Sequence, residues 1–395
     1  MRRPAAGDAS GAVADLGVFV PLAAALVLVN GLHPGPVLLL AGLLSLSAGL
    51  AFGIPFPVQP LKALTALAVA QQLSPEVIHA AGLQIGLLLV VLMATGVADR
   101  LARLFTPPVI RSLQLAVGLL LMLSAYRLAV SPPELFAFRP DAPWSLALAA
   151  VALVGVAVAA HRRWHAVAAL LVALSVTVTA LAAGPAFGGL ALHVPDLALP
   201  PLSVWPTAFL TLVVPQLPLT YGNAVVGVSA LAREHFPHAL RVTPGRVALS
   251  CGLGNTASAL LGGMPMCHGS SGLSAHVRLG ARTAAMNVLL GGSLVVLGLA
   301  FADSVLVLFS LLPVWALAGF LAYAGLRHAL LVLDQRGLRL VVAVAAAAAG
   351  MLTGNLAWTT GIALLADIAL RRRRRPAGAA DGGTGRGTPS ISSAA

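Results

Sequence analysis

Residues 52–62 have the sequence FGIPFPVQPLK, and residues 262–269 have the sequence GGMPMCHG. Both stretches contain the pattern Gly-apolar-Pro-apolar, at residues 53–56 and 263–266, within otherwise apolar sequence. Proline removes a backbone donor and clashes with the preceding turn, so each stretch predicts a broken helix. Backbone groups exposed by such a break are tolerated at membrane depth only where protein or a water-filled cavity surrounds them. The two stretches therefore indicate a buried functional centre, with ordinary helix kinks as the alternative.

The composition around these stretches is that of a membrane protein. Of the 395 residues, 59% are hydrophobic and 9% are charged, and the mean hydropathy is +0.95, whereas a soluble domain carries about 25% charged residues. The net charge of +12 is distributed over short gaps between apolar runs and a final cluster at Arg371–Arg375. Basic clusters beside apolar segments set topology and contact anionic lipid. This distribution predicts the lipid bilayer as a partner and argues against nucleic acid.

The motifs of several other function classes are missing from the sequence. Cys251 and Cys267 are the two cysteines, which are too few for a disulfide framework and lack metal-ligand spacing. The chain contains neither H-E-x-x-H nor a Gly-x-Ser-x-Gly nucleophile turn, which are the motifs expected of common hydrolytic sites. We therefore expect no metal, no cofactor and no enzymatic activity.

The apolar runs predict an all-α polytopic membrane protein with about fourteen transmembrane segments. The predicted spans are residues 13–30, 35–52, 56–73, 76–98, 108–130, 143–160, 164–183, 205–232, 243–261, 265–277, 281–300, 303–326, 338–350 and 353–370. If the N-terminus is cytoplasmic, the arginine-rich loops also fall on the cytoplasmic side, and Arg139 is the one clearly external basic residue. Because positive charge concentrates in cytoplasmic loops, we predict that both termini are cytoplasmic, in the inner membrane of the cell.

The spans form two sets of seven, which gives a 7+7 inverted repeat because an odd number of spans reverses the second set. The predicted parts are a cytoplasmic N-terminus (1–12), a first repeat (13–183), an external connection (184–204), a second repeat (205–370) and a disordered basic cytoplasmic tail (371–395). The two broken stretches open the third span of each set. Broken helices at corresponding positions of two repeats point to a transporter's central site. Helix N-termini that face each other there would favour an anion.

The motifs in this order resemble those of the MOT1-type molybdate transporter family, which is related to the sulfate permease (SulP) superfamily. The first-half motifs are Asp15-Leu16-Gly17 with Pro21, Phe52 to Pro55, and Pro57 to Pro60 with Lys62. The second-half motifs are Pro215 to Pro218, Gly222 to Ala224, and Gly262 to Gly269. The resemblance implies a core subdomain of spans 1–4 and 8–11 and a gate subdomain of spans 5–7 and 12–14.

The function that the resemblance implies is secondary active transport of molybdate, bound between the half-helix N-termini of spans 3 and 10. Sulfate or another small anion is the alternative substrate, and an anion channel or an intramembrane enzyme is the alternative of a different class. The expected partners are molybdate or a related oxyanion, the bilayer and a coupled proton or other ion, and a homodimer is compatible with the sequence. Fold alone does not decide the substrate.

The candidate substrate-binding residues lie at the breaks and on span eight. They are Val58, Gln59, Lys62, Gln216, Asn223, Met266, Cys267, His268 and Gly269. An amide side chain can donate to an oxyanion or cap loose backbone groups, so Gln59, Gln216 and Asn223 keep both interpretations. His268 could donate to the anion, carry a proton or only pack. We interpret Cys267 as a small packing residue at the site.

Lys62 needs separate comment, and three further polar residues complete the set. Lys62 is the chain's only lysine, and a buried ammonium is expensive without a partner. It would snorkel to the interface, bond to backbone carbonyls or Asp15, or hold the anion. Asp15, Thr220 and Asn255 are candidates for ion coupling or for structural support, and a hydroxyl such as that of Thr220 can also bond within its own helix.

Overall fold

The structure, a computed structural model, describes residues 6–97, 106–132, 134, 136, 138–161, 177, 180, 181, 184, 192, 194–278, 280–353 and 356–374. The first-half elements are α1 (Ala6–Leu28), α2 (Pro34–Phe52), β1 (Gln59–Pro60), α3 (Lys62–Ala70), α4 (Pro75–Ala94), α5 (Pro107–Val130) and α6 (Ala142–His161). The second-half elements are α7 (Leu202–His235), α8 (Pro244–Leu260), β2 (Met266–Cys267), α9 (Ser270–Arg278), α10 (Ala285–Ala300), α11 (Ala302–Ser310), α12 (Val314–Ala329, continued as a 3₁₀ turn over Leu330–Asp334), α13 (Leu338–Thr353) and α14 (Leu356–Arg374).

Five described helices are long and apolar enough to cross a membrane by length and composition. They are Pro34–Phe52, Pro75–Ala94, Pro107–Val130, Leu202–His235 and Val314–Asp334. Shorter apolar helices occur at Val18–Leu28, Ala142–Val158, Ala285–Ala300 and Leu338–Thr353. Most of the predicted seventh span, 164–183, lies outside the described residues. The total of about fourteen spans therefore stays a prediction.

The structure differs from the predicted spans at one internal break and at both ends. The predicted span 303–326 is two helices, α11 and α12, which are separated at Leu311–Pro313. Pro313 explains the break, because proline disfavours helical backbone in the residue before it and removes a donor. Helix α1 begins at Ala6, inside the predicted N-terminal segment, and α14 continues to Arg374, four residues into the predicted tail.

The two predicted breaks are both present, and each contains a two-residue strand followed by a nine-residue helix. Strand β1 pairs with β2 in antiparallel orientation, with Gln59 opposite Cys267 and Pro60 opposite Met266. The amide of Leu61 extends this ladder by donating to the carbonyl of Pro265 over 3.0 Å. Neither extended segment could satisfy its backbone alone within an apolar protein. The pairing therefore joins the third segments of the two halves at the centre of the molecule.

Equivalent glycines mark where the helices before these strands stop. Gly53 ends α2 in the left-handed conformation at φ 72°, and Gly262 has φ 73° just after α8. Glycine adopts this conformation without the strain that a Cβ would add. The chain can therefore leave each helix sharply and enter its strand.

The long helices pack reciprocally between the two halves. Helix α2 packs on α10, α4 packs on α8, and α5 packs on α12. The repeat would relate α2 to α8, α4 to α10 and α5 to α12. The pair α2–α10 then becomes the pair α8–α4, and the pair α5–α12 becomes itself. This reciprocity is expected of two related halves, and the inverted 7+7 repeat stays a prediction.

Glycines let these helix pairs approach closely, which gives a direct test of the packing. A Cβ on Gly291 would lie 2.7 Å from the carbonyl oxygen of Gly42, whereas a Cβ on the adjacent Gly292 would meet nothing within 4 Å. We expect Gly291→Ala to lower the stability of the folded protein by about 1–3 kcal/mol through overpacking. The matched control Gly292→Ala should be neutral or slightly stabilising, because alanine favours helix over glycine. Thermal unfolding of the purified variants in detergent measures both effects, and equal midpoints would contradict the close crossing.

Candidate functional site

The starts of helices α3 and α9 face each other, and Lys62 connects them. Lys62 is the first residue of α3 and is 4% exposed. Its ammonium donates to Gln59 Oε1 over 2.8 Å and to Ser271 Oγ over 3.2 Å. Ser271 lies in the first turn of α9. The buried ammonium therefore lies at the junction of two helix N-termini, where backbone N–H groups and dipoles also favour negative charge.

Gly269 provides the space for this junction. A Cβ at Gly269 would lie 2.9 Å from Gln59 Oε1 and 3.3 Å from Lys62 Nζ. Any larger residue would therefore displace the polar ends of both side chains. Val58 and Cys267, which the sequence also assigned to the site, are buried on the adjoining extended segments, and Cys267 pairs with Gln59 in the strand register.

Two asparagines hold the backbone of the broken segments at equivalent positions. Asn255 Oδ1 accepts from the amide of Met266 at 2.7 Å, and its Nδ2 donates to the Met266 carbonyl at 2.7 Å. Asn287 does the same for Phe56, with distances of 2.8 Å to the amide and 2.6 Å to the carbonyl. Each side-chain amide replaces a missing strand neighbour, since a primary amide offers one acceptor and two donors. These contacts favour the structural interpretation of Asn255 over a role in ion coupling.

Gln216 also bonds to the protein itself. Its Oε1 accepts from the amide of Leu64, the third residue of α3, over 2.8 Å. Its Nε2 donates to Thr220 Oγ1 over 2.8 Å. One of the four N-terminal amides that a helix leaves without an internal partner is thereby capped. This geometry favours the capping interpretation of Gln216 and makes Thr220 its support.

Asn223 connects α7 to the start of α9. Its Oδ1 accepts from Ser270 Oγ over 2.6 Å, and Asn223 is 6% exposed. The segment Thr220–Gly227 is a π-helical stretch of α7. Widened turns of this kind are frequent at functional sites because they redirect side chains out of the regular helical register. Asn223 thus contacts Ser270, the residue next to Ser271, to which Lys62 donates.

His268 is buried with both ring nitrogens occupied. Nδ1 lies 2.8 Å from the carbonyl of Pro57, and Nε2 lies 2.9 Å from Ser250 Oγ. Because a carbonyl only accepts, Nδ1 carries the proton and donates it. The ring also packs against Phe56, with centroids 4.8 Å apart. These contacts favour the packing interpretation, in which His268 fastens one broken segment to the other.

The sequence analysis missed several polar residues around this centre, and one predicted residue lies outside what is described. Asn287 and Ser45, which bond to each other at 3.0 Å, were not singled out. An asparagine in the apolar run of α10 was the available signal, but its partner Phe56 is 231 residues away in the chain. Asp15 belongs to α1, and its side chain lies outside the described part of the structure.

Comparison with known proteins identifies the family. A family model described as "Molybdate transporter of MFS superfamily" matches residues 7–121 and 208–327. These ranges include both broken segments and the residues around Lys62. The chain belongs to the MOT1 molybdate transporter family. Molybdate transporter 2 of Arabidopsis thaliana is 28% identical over 94% of this chain and 89% of its own length. Molybdate transporter 1 of Chlamydomonas reinhardtii is 31% identical over 91% of each chain.

Solved structures agree with the sulfate-permease relationship that the sequence suggested. The transmembrane domain of the cyanobacterial bicarbonate transporter BicA has a TM-score of 0.65 at 15% identity and covers 92% of this chain and 97% of its own. The structure of SLC26A9 has a TM-score of 0.68 at 12% identity, covering 92% of this chain and 65% of its own. This family member therefore has a SulP/SLC26-type transporter fold and is a multi-pass membrane protein.

Proposed function

We propose that this protein is a secondary active transporter of molybdate, and that the anion binds between the N-termini of α3 and α9. The observation that carries the proposal is the position of Lys62, whose buried ammonium reaches a residue at each of the two broken segments. The named molybdate transporters to which the chain is similar support the choice of substrate.

The groups at this junction suit a tetrahedral oxyanion. An ammonium is a compact charge with three donors that can follow the oxygens of a tetrahedral ion. The hydroxyls of Ser270 and Ser271 lie on the first turn of α9, and a helix N-terminus favours negative charge through its backbone N–H groups. Gln59, beside Lys62, accepts from the ammonium through Oε1 and carries on Nε2 the N–H groups that can donate to an oxyanion. We assign Lys62, Gln59 and Ser271 to direct binding, and Ser270, whose hydroxyl donates to Asn223 Oδ1, to positioning.

The remaining residues position these groups. Asn255 and Asn287 hold the two extended segments, and Gln216 caps α3. Such support matters because a loosely held site binds an ion less well than one that is organised in advance. Transport would then follow from movement of the core, which carries α3 and α9, against the gate helices, as expected for alternating access in transporters built from inverted repeats.

Substrate choice is tested by competition. Molybdate uptake into vesicles containing the purified protein should be inhibited more strongly by tungstate than by sulfate at equal concentration. The two metal oxyanions nearly match in size and charge, so a site fitted to one should accept the other. Equal inhibition by sulfate would replace the molybdate assignment with a broader anion transporter, and uptake that does not saturate would indicate a channel.

Orientation is tested separately. We propose that both termini are cytoplasmic in the inner membrane, because the arginines concentrate in alternate loops. Topology reporters placed after Arg375 and between residues 196 and 201 should then report opposite sides of the membrane. A result that places both on the same side would contradict the orientation while leaving the anion site untouched.

A further inference from the structure

A histidine outside the site described above has an unsatisfied buried nitrogen. His328 lies near the end of α12 and is 5% exposed. Within the described part of the chain, its Nε2 is buried and has no hydrogen-bond partner. Native proteins pair the large majority of buried polar side-chain atoms, and an exception calls for an explanation. A bound anion that accepts from this nitrogen would supply one.

The location of His328 connects it to the candidate site. The turn of α12 that carries His328 crosses α5 closely, since a Cβ on Gly118 of α5 would lie 2.6 Å from the amide nitrogen of Ala329. Helix α12 packs along α5 and against α1, while α5 and α1 both pack on α3, the helix that Lys62 begins. His328 therefore lies where α12, which the sequence assigned to the gate, crosses a helix that packs on α3. No residue of the gate was among the candidates drawn from the sequence.

We infer that His328 is the gate's anion-binding residue, whose Nε2–H donates to the oxyanion held by Lys62. This inference rests on the proposed function, because it takes the same ligand at the same junction. A neutral imidazole carries one N–H and can place it on Nε2, where it would meet an anion oxygen. A hydrogen bond to a charged acceptor is stronger than one between neutral groups.

The consequence is a physical link between substrate and gate. An anion that touches α3, α9 and α12 at once binds best when the gate lies against the core. A ligand shifts a conformational equilibrium only through such a difference in interactions between two states. Removing the His328 contact should therefore weaken binding and also reduce the stabilisation that molybdate gives to the closed arrangement.

The test compares three variants of the full-length purified protein by calorimetric titration with molybdate. His328→Leu removes the donor at similar size, His328→Gln keeps an N–H donor, and His79→Leu is the matched control. His79 Nε2 is also buried and without a partner in the described residues, but its neighbours are Glu76 and the backbone of Gly262 and Gly263.

We expect His328→Leu to weaken molybdate binding about 10- to 100-fold, the range for a lost hydrogen bond to a charged group. His328→Gln should restore most of that loss, and His79→Leu should bind like the unmodified protein. A purely structural role would lower thermal stability in both His328 variants and would show no rescue by glutamine. Unchanged binding in His328→Leu, with binding lost in Lys62→Gln, would overturn this inference and leave the proposed function standing. If the unmodified protein binds neither molybdate, tungstate nor sulfate, both proposals fail.

Discussion

Lys62→Gln is expected to leave the protein folded and inserted but to weaken molybdate binding about 100-fold. The substitution removes the positive charge of Lys62, a residue that is 4% exposed and lies between two helix starts. Hydrogen bonds to charged groups contribute about 1.5–3 kcal/mol, and a buried charge adds its direct attraction to the anion. Lys62→Arg should recover binding only in part, because the planar guanidinium is larger than the ammonium.

The control for this experiment is a cation of α5 that contacts the opposite end of α3. Arg127 Nη1 donates to the carbonyl of Ala70, the last residue of α3, over 3.2 Å. Arg127→Gln removes the same charge but should leave molybdate affinity close to that of the unmodified protein. Calorimetry on monodisperse protein measures all three variants. Near-normal affinity in Lys62→Gln would remove Lys62 from the site and leave the helix amides and Gln59 as its candidates.

Asn287→Leu should cause the largest loss of stability among the substitutions considered. It removes the acceptor for the Phe56 amide, the donor for the Phe56 carbonyl and a 3.0 Å bond to Ser45 Oγ, all of them buried. An orphaned buried polar group costs about 1–3 kcal/mol, so two backbone groups correspond to about 2–6 kcal/mol. The broken segment should then loosen, and molybdate binding should fall together with the unfolding temperature.

Ser293→Ala provides the comparison on the same helix. Ser293 is exposed on α10, and its hydroxyl bonds only one turn back, to the carbonyl of Leu289 at 2.9 Å. Thermal unfolding in detergent should separate the two variants clearly, with Ser293→Ala unfolding like the unmodified protein. If Asn287→Leu unfolded at the same temperature as Ser293→Ala, the contacts of Asn287 to Phe56 and Ser45 would not be a significant source of stability.

The parts of the fold that local chemistry controls could be predicted from the sequence. The proline and glycine clusters located both breaks. The matching positions in two halves predicted facing helix starts, and the Lys62 contact to Ser271 supports that prediction. The family resemblance is confirmed by the family match and by the structural likeness to BicA and SLC26A9. The break at Pro313 was also visible in the sequence, but the apolar run across it favoured a single span.

The parts that depend on long-range pairing could not be predicted. Strands of two residues have no sequence pattern, so the β1–β2 ladder follows only from the tertiary arrangement. The same holds for Asn287, whose partner Phe56 belongs to the other half of the chain. The sequence made Gln216 and His268 candidates for substrate binding, and it is their contacts in the structure that favour capping and packing instead. His328 carried no local signal, because its significance lies in a buried nitrogen without a partner among the described residues and in the packing of α12 on α5.

The central claim, that an oxyanion binds between α3 and α9, is tested most directly by locating tungsten in the protein. Tungstate carries a heavy atom whose anomalous scattering marks its position in crystals of the unmodified protein. The account predicts one strong peak about 4–5 Å from Lys62 Nζ and from Ser271 Oγ, the distance at which an oxygen of the ion accepts from each. A peak at another place in the molecule, with none at this junction, would contradict it.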